Sequence, residues 1–185
     1  MHTERPSHSS IRIQIRIFAN IKNRVQYTGS MVSNLRIVGI RGKCPVKEIV
    51  GHFNSMGSDV ILMDPSYVYC EEQIFSAVEH AERAFRSGNN RSKTLLTEII
   101  MYTAGERQIS KALVKMKPKK DQESYVAVII DAPEDLRLGD ISVERCDEII
   151  AGNPEKSRMM GLDNALNIPC EDLALEMVAM LDLAK

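Results

Sequence analysis

The 185-residue sequence contains no tryptophan, and aromatic residues make up only 5% of it. No apolar run approaches the roughly 20 residues that a transmembrane helix needs. The four cysteines, Cys44, Cys70, Cys146 and Cys170, lie far apart and include no Cys-x-x-Cys pair. That spacing fits neither a disulfide framework nor a zinc site and favours a reducing compartment. Because the N-terminus also lacks the apolar run of a signal peptide, the sequence predicts a soluble cytoplasmic protein.

Recognisable catalytic and metal-binding motifs are also missing. The four histidines include no His-x-x-x-His pair and there is no Gly-x-Ser-x-Gly motif, so we predict no metal and no cofactor. The segment 39–43 resembles a phosphate-binding loop only superficially, since Cys44 stands where that motif needs Ser or Thr. Asp131, which ends an apolar run, and Asp64 are the carboxylates that a small-molecule enzyme would use. We favour an ordinary turn after Asp131, and the sequence offers no convincing active site.

Charge is balanced over the whole chain but not along it. The 24 Lys and Arg and the 25 Asp and Glu give a net charge of -1, which taken alone argues against a nucleic-acid-binding protein. Residues 82–120, here called the basic block, hold ten basic and three acidic residues, whereas residues 121–155, the acidic block, hold two basic and ten acidic residues. The basic block is a candidate surface for nucleic acid. The alternative, slightly favoured on charge alone, is a solvated helical face that pairs with the acidic block.

Hydrophobic periodicity predicts an α/β (α+β) domain: a single domain with a small mixed sheet packed by helices. Strands are predicted at 36–40, 60–63 and 125–130, with amphipathic helices between them. The C-terminal third is predicted to be rich in helices, at 143–151, 154–165 and 171–183. We expect Arg107, Lys111 and Lys115 to share one helical face, because they are four residues apart.

Residues 1–30 have a different character from the rest of the chain. Residues 11–17 alternate isoleucine with polar residues, which indicates a strand with one cationic face, but the flanking residues have little to bury. We interpret 1–30 as a basic N-terminal extension, either disordered or translated from an early start codon. The domain is then expected at 31–185.

One segment carries a resemblance to a known family. Residues 91–113 read RSKTLLTEIIMYTAGERQISKAL. This segment resembles the signature of the TPRKB (PRPK-binding protein) family, the kinase-binding accessory subunits of the KEOPS complex, in its archaeal type. The resemblance extends over residues 35–183 and is specific in 91–113. It departs at 134–170, which match loosely, and at the first thirty residues, which the family usually lacks; the latter supports a start at Met31.

The resemblance implies a non-catalytic subunit. In this family the complex attaches threonylcarbamoyl to the adenosine next to the anticodon of tRNA. A separate metal-dependent transferase subunit performs the chemistry, and a small kinase/ATPase subunit regulates it. The TPRKB-type subunit binds the kinase and, in archaeal forms, helps to hold tRNA by its single-stranded CCA end. The implied partners are therefore the kinase/ATPase subunit, tRNA and, indirectly, the transferase subunit. The alternative is a protein-interaction subunit that never contacts RNA.

Candidate binding residues follow from combining the resemblance with the charge pattern. Lys and Arg supply sequence-independent affinity for phosphates through counterion release. The predicted tRNA contacts are Arg91, Lys93, Arg107 and Lys111 in the matched segment, with Arg41 and Lys43 as second choices. Arg107 has an equally weighted structural alternative, since an arginine beside a glycine helix break often binds the preceding carbonyl groups. The predicted kinase contacts are Met177 and Leu181, on the apolar face of the C-terminal helix.

Overall fold

The computed structural model describes residues 32–162 and 167–183; the predicted extension at 1–30 lies outside them. Four strands form one sheet: β1 (Arg36–Arg41), β2 (Asp59–Met63), β3 (Ser124–Ile130) and β4 (Glu144–Arg145). The described residues also contain six α-helices: α1 (Val46–Ser55), α2 (Glu71–Arg86), α3 (Leu95–Ala104), α4 (Ile109–Met116), α5 (Pro154–Met160) and α6 (Cys170–Leu183).

The order of the strands explains the character of the sheet. It is β2-β3-β1-β4, and every neighbouring pair is antiparallel. β1 and β2 run in the same direction, as a β-α-β connection requires, but β3 is inserted between them and runs the opposite way. The central place suits β3 because its residues are buried from Tyr125 to Ile130. The α+β class is therefore confirmed, with an antiparallel sheet in place of the mixed one that we expected.

The helix that we predicted at 143–151 is wrong. This segment forms the short strand β4 and a 3-10 turn at Asp147–Ile149. The segment binds to β1 through one backbone and one side-chain hydrogen bond: Cys146 N donates to Gly39 O at 2.7 Å, and Gly39 N donates to the side-chain Oδ1 of Asp147 at 3.1 Å. A side chain at residue 39 would collide with the Cys146 carbonyl oxygen, so the absence of a Cβ there permits the close approach.

The helices form one connected group, apart from α1 and α5. α2 packs against α3 and α6, and α3 also packs against α4 and α6. α1 instead covers β2, with Ile49, Val50 and Phe53 buried. No helix within 32–162 and 167–183 is long and apolar enough to cross a membrane.

A polar cluster attaches the end of α6 to α2 and α3. Asp182 accepts a hydrogen bond from Tyr102 Oη at 2.5 Å and lies 2.6 Å from His80 Nδ1 and 2.9 Å from Arg83 Nη2. Burial raises the pKa of Tyr102, and its hydrogen bond to Asp182 raises it further. These contacts, together with buried Leu181, fix the position of α6.

The two C-terminal helices were predicted with different success. α6 begins and ends within one residue of the predicted 171–183. α5 begins at Pro154 as predicted and has Asn153 as its N-cap, but it ends at Met160. Gly161, with φ at +70°, closes it in the left-handed conformation that favours glycine. Residues 163–166 of the predicted 154–165 lie outside the described residues.

Candidate functional site in the basic block and on the C-terminal helix

Arg91 and Lys93 lie exposed in the loop that precedes α3. The carboxylate of Glu98, inside α3 and 1% exposed, accepts hydrogen bonds from the backbone N–H of Arg91 and from that of Ser92, the latter at 2.8 Å. Thr94 is the N-cap of α3, and its Oγ1 accepts from Thr97 N. The backbone of this loop is therefore fixed by hydrogen bonds to a buried carboxyl group, a contact that the sequence alone does not reveal.

Arg107 lies exposed in the short connection before α4, and Lys111 lies exposed in the first turn of α4. Neither forms an ion pair with any residue that the structure describes. The structural alternative for Arg107 was to bind the carbonyl groups at the end of α3. Lys115 does this instead, because its Nζ donates to Ala104 O at 2.8 Å. Lys115 also lies 5.7 Å from the centre of the Tyr67 ring, and burial lowers its pKa. Lys115 thus turns inward, away from the face that we expected it to share with Arg107 and Lys111.

Arg41 and Lys43 lie at one end of the sheet, beside the loop that follows α4. Two contacts join the end of β1 to this loop. Gly42 N donates a hydrogen bond to Glu123 O at 2.8 Å, and Lys43 forms an ion pair with Glu123 at 3.5 Å. This loop brings further exposed cations that our candidate set left out: Lys117, Lys119 and Lys120. The signal for them was present in the sequence as the run KPKK at 117–120.

The six predicted cations fall into three places. Arg91 and Lys93 precede α3, whereas Arg107 and Lys111 follow it; α3 has ten residues and so separates the two pairs by about 15 Å along its axis. The loop at 117–120 follows α4 directly and lies beside the third pair, Arg41 and Lys43. Arg107, Lys111 and the lysines of this loop therefore follow one another along the chain, whereas Arg91 and Lys93 form a separate pair.

Four cations of the basic block form ion pairs with carboxylates that lie outside the acidic block. The pairs are Arg83 with Asp182 at 2.9 Å, Arg86 with Glu82 at 3.7 Å, Lys115 with Glu106 at 4.0 Å and Lys119 with Asp64 at 3.2 Å. None of these carboxylates belongs to residues 121–155. Within residues 82–120, all of which the structure describes, five exposed cations form no ion pair: Lys93, Arg107, Lys111, Lys117 and Lys120. Positive charge therefore remains available on this surface.

The two predicted kinase contacts lie on the inner side of α6. Leu181 is 4% exposed and belongs to the core. Met177 is half-buried, and its side chain packs against Gly105. The outward face of α6 instead carries Met180, 51% exposed, and Leu183, 79% exposed. These two apolar side chains lie one and two positions from Leu181, and they are candidates for partner contacts on this helix.

The carboxylates considered for catalysis do not come together. The pairing of β2 with β3 places Asp59 opposite Ile130 and Met63 opposite Val126, so Asp64 and Asp131 lie at opposite ends of the sheet. Asp64 is 2% exposed and accepts a hydrogen bond from Ser66 N, while exposed Asp131 accepts one from Ser33 Oγ. Within the described ranges, no group of three or more His, Cys, Asp or Glu side chains could hold a metal ion.

The family of this chain is identified by comparison with known protein families. Comparison with curated proteins gave no match. The family described as kinase binding protein CGI-121 matches residues 18–166. The matched range covers most of the 185 residues and contains α1 to α5 and all four strands. The chain therefore belongs to the CGI-121 family of kinase-binding proteins.

Proposed function

We propose that this chain is the kinase-binding accessory subunit of a KEOPS complex and helps to hold tRNA by its CCA end. It binds the small kinase/ATPase subunit, and through that subunit it is associated with the transferase that forms threonylcarbamoyladenosine. The chain itself contributes binding surfaces and no catalytic group. Its membership in a kinase-binding family supports the first part of the proposal.

The state of Arg107 is the observation that carries the RNA part. It lies in the segment that resembles the KEOPS subunits, it is exposed, and the structural task that could have explained it is performed by Lys115. Lys111, in the first turn of α4, is also exposed and unpaired among the described residues. Two exposed cations at the start of a helix, without carboxylate partners among the described residues, are suited to contact the phosphates of a nucleic acid.

The experiment is a titration of labelled tRNA with the natural chain and with Arg107→Glu/Lys111→Glu. We expect the double variant to bind at least tenfold more weakly, and the salt dependence of its affinity to be shallower because two phosphate contacts are lost. The matched control is Arg137→Glu/Arg145→Glu, which makes the same change of charge at two exposed positions in the acidic block. The control should retain most of the natural affinity.

A tRNA that lacks its 3′ CCA tests the finer part of the proposal. We expect it to bind the natural chain more weakly than complete tRNA, because the single-stranded end supplies contacts of its own. Equal affinities for the natural chain, the double variant and the control would refute the RNA contact. They would leave the alternative, a subunit that binds only the kinase.

A further inference from the structure

The side-chain carboxyl group of Glu98 faces the loop before α3 and accepts hydrogen bonds from its backbone. Glu98 is 1% exposed. Its Oε2 accepts from Ser92 N at 2.8 Å and from Arg91 N at 3.1 Å, and its Oε1 lies 3.2 Å from Arg91 N. A carboxylate is costly to bury unless hydrogen bonds replace its hydration. Here the replacement consists of consecutive backbone N–H groups from the segment that carries Arg91 and Lys93.

Helix capping does not account for this arrangement. Thr94 already caps α3, with its side chain accepting from Thr97 N at 3.2 Å. The bonds of Glu98 go to residues that precede the cap, outside the helix. Two further bonds close the loop on itself: Ser92 Oγ donates to Thr94 O at 2.7 Å, and Asn90 Nδ2 donates to Ser92 O at 2.9 Å. The main effect of the Glu98 carboxylate is therefore to fix the conformation of residues 90–94.

We propose that Glu98 is a positioning residue for RNA binding, which holds Arg91 and Lys93 in the geometry that contacts phosphates. This inference rests on the proposed function, in which those two cations contact tRNA. A loop that is ordered before binding loses less conformational entropy on binding than a mobile loop does. Its cations therefore bind more tightly than the same cations on a mobile loop. Glu98 acts through the backbone of the loop and does not contact RNA itself.

The test is a double-mutant cycle on tRNA affinity. Glu98→Met keeps the approximate size of the side chain and removes both acceptor oxygens. We expect it to weaken tRNA binding in the natural chain and to lower the slope of log affinity against log salt by about 1, as when one to two phosphate contacts to single-stranded RNA are lost. In the Arg91→Ala/Lys93→Ala background it should have no further effect, because the residues through which it acts are gone.

A variant that weakens α3 without touching the loop separates positioning from general stability. Thr103→Val removes the buried hydrogen bond from Thr103 Oγ1 to Ile99 O, 2.8 Å long, in the same helix. It should lower the unfolding free energy while leaving tRNA affinity unchanged. Glu98→Gln keeps the shape and one acceptor oxygen, and should recover part of the affinity. It also supplies a folded variant for the same cycle if Glu98→Met does not fold.

The outcomes distinguish this inference from the proposed function. Should Arg91→Ala/Lys93→Ala weaken tRNA binding while Glu98→Met and Glu98→Gln leave it unchanged, the positioning role is refuted and the RNA contact stands. Should Glu98→Met weaken binding equally in both backgrounds, the effect is structural and the inference is again refuted. An Arg91→Ala/Lys93→Ala variant with natural tRNA affinity removes the RNA contact at this loop, and the inference with it.

Discussion

Gly105 and Met177 approach so closely that no side chain fits between them. A Cβ built on Gly105 would lie 2.5 Å from Met177 Cγ. Gly105 also has φ at +62° and closes α3 in the left-handed conformation. Two independent causes therefore require glycine at this position: the backbone turn that ends α3 and the close packing of α6 on that turn.

Gly105→Ala should destabilise the protein by about 2–4 kcal/mol. The left-handed conformation accounts for about 1 kcal/mol, and displacement of Met177 accounts for a further 1–3 kcal/mol. Gly88→Ala is the matched control, because Gly88 has φ at +69° but has no atom within 4 Å of an added Cβ. It should lose only the first contribution. Urea unfolding of both variants measures the difference, and equal losses would show that Met177 moves aside without cost.

Most of the fold could be predicted from the sequence where local pattern and tertiary structure agree. The strands β1, β2 and β3 were recognisable as short continuous apolar runs, because both of their faces are buried. The helices α2 and α6 were recognisable because their apolar residues recur at helical spacing. The segment 143–151 was not, since its spacing of apolar residues also suits a helix. What decides its structure is the backbone of β1 at Gly39, which lies more than a hundred residues away in the sequence and forms hydrogen bonds with Cys146 and Asp147.

Met180→Glu/Leu183→Glu should abolish co-purification with the kinase/ATPase subunit without changing the melting temperature. Both side chains lie on the outward face of α6, and a carboxylate there would lose its hydration in an apolar interface. Val114→Glu, at a 64% exposed apolar position on α4, is the control and should still co-purify. Continued binding of the double variant would move the kinase surface to another element.

Leu181→Glu should behave differently, by unfolding the protein. Leu181 is 4% exposed, so the substitution removes core packing and buries a charge without a partner, a combined loss of about 4 kcal/mol or more. Thermal unfolding of the purified variant measures this loss. A stable Leu181→Glu protein that fails to bind the kinase would instead restore Leu181 as a contact residue, as the sequence pattern suggested.

The candidate site was less predictable than the fold because spacing does not show which cations turn inward. Arg107, Lys111 and Lys115 share a spacing of four residues, yet only Lys115 points to the carbonyl group of Ala104 and to the Tyr67 ring. That choice depends on the closure of α3 at Gly105 and on the approach of the 3-10 turn at Pro65–Tyr67. Neither relationship can be read from residues 107–115 alone.

Exchanging Arg107 and Lys115 for glutamine should therefore produce opposite results. Arg107→Gln should weaken tRNA binding and leave stability within about 0.5 kcal/mol of the natural value, because the side chain is exposed and forms no ion pair with a described residue. Lys115→Gln should lose about 1–2 kcal/mol, since the carboxyl end of α3 loses a charged hydrogen-bond donor, and should bind tRNA normally. Urea unfolding and tRNA titration of both variants provide the comparison. The expectation fails if the two variants change the same quantity.

Lys156 is a buried cation, and burying its charge lowers the free energy of unfolding. It is 7% exposed, and its Nζ donates to Ile149 O at 2.6 Å and to Ile150 O at 3.2 Å. Burial lowers its pKa to about 8, from 10.5. Folding therefore disfavours the charged form, and the full cost is present wherever both the folded and the unfolded chain carry the proton, that is, below about pH 8.

Raising the pH from 7.5 to 9.5 should stabilise the natural chain relative to Lys156→Met by about 1–2 kcal/mol. Between the folded pKa of about 8 and the unfolded value of 10.5, the unfolded chain binds more protons, so the unfolding free energy rises with pH by at most about 1.4 kcal/mol per unit. The raised pKa of Tyr102 acts in the opposite direction only near its unfolded value of 10.0 and above, and it is common to both proteins. Urea unfolding at pH 7.5, 8.5 and 9.5 measures the difference, and parallel pH profiles for the two proteins would contradict a buried lysine that loses its proton in this range.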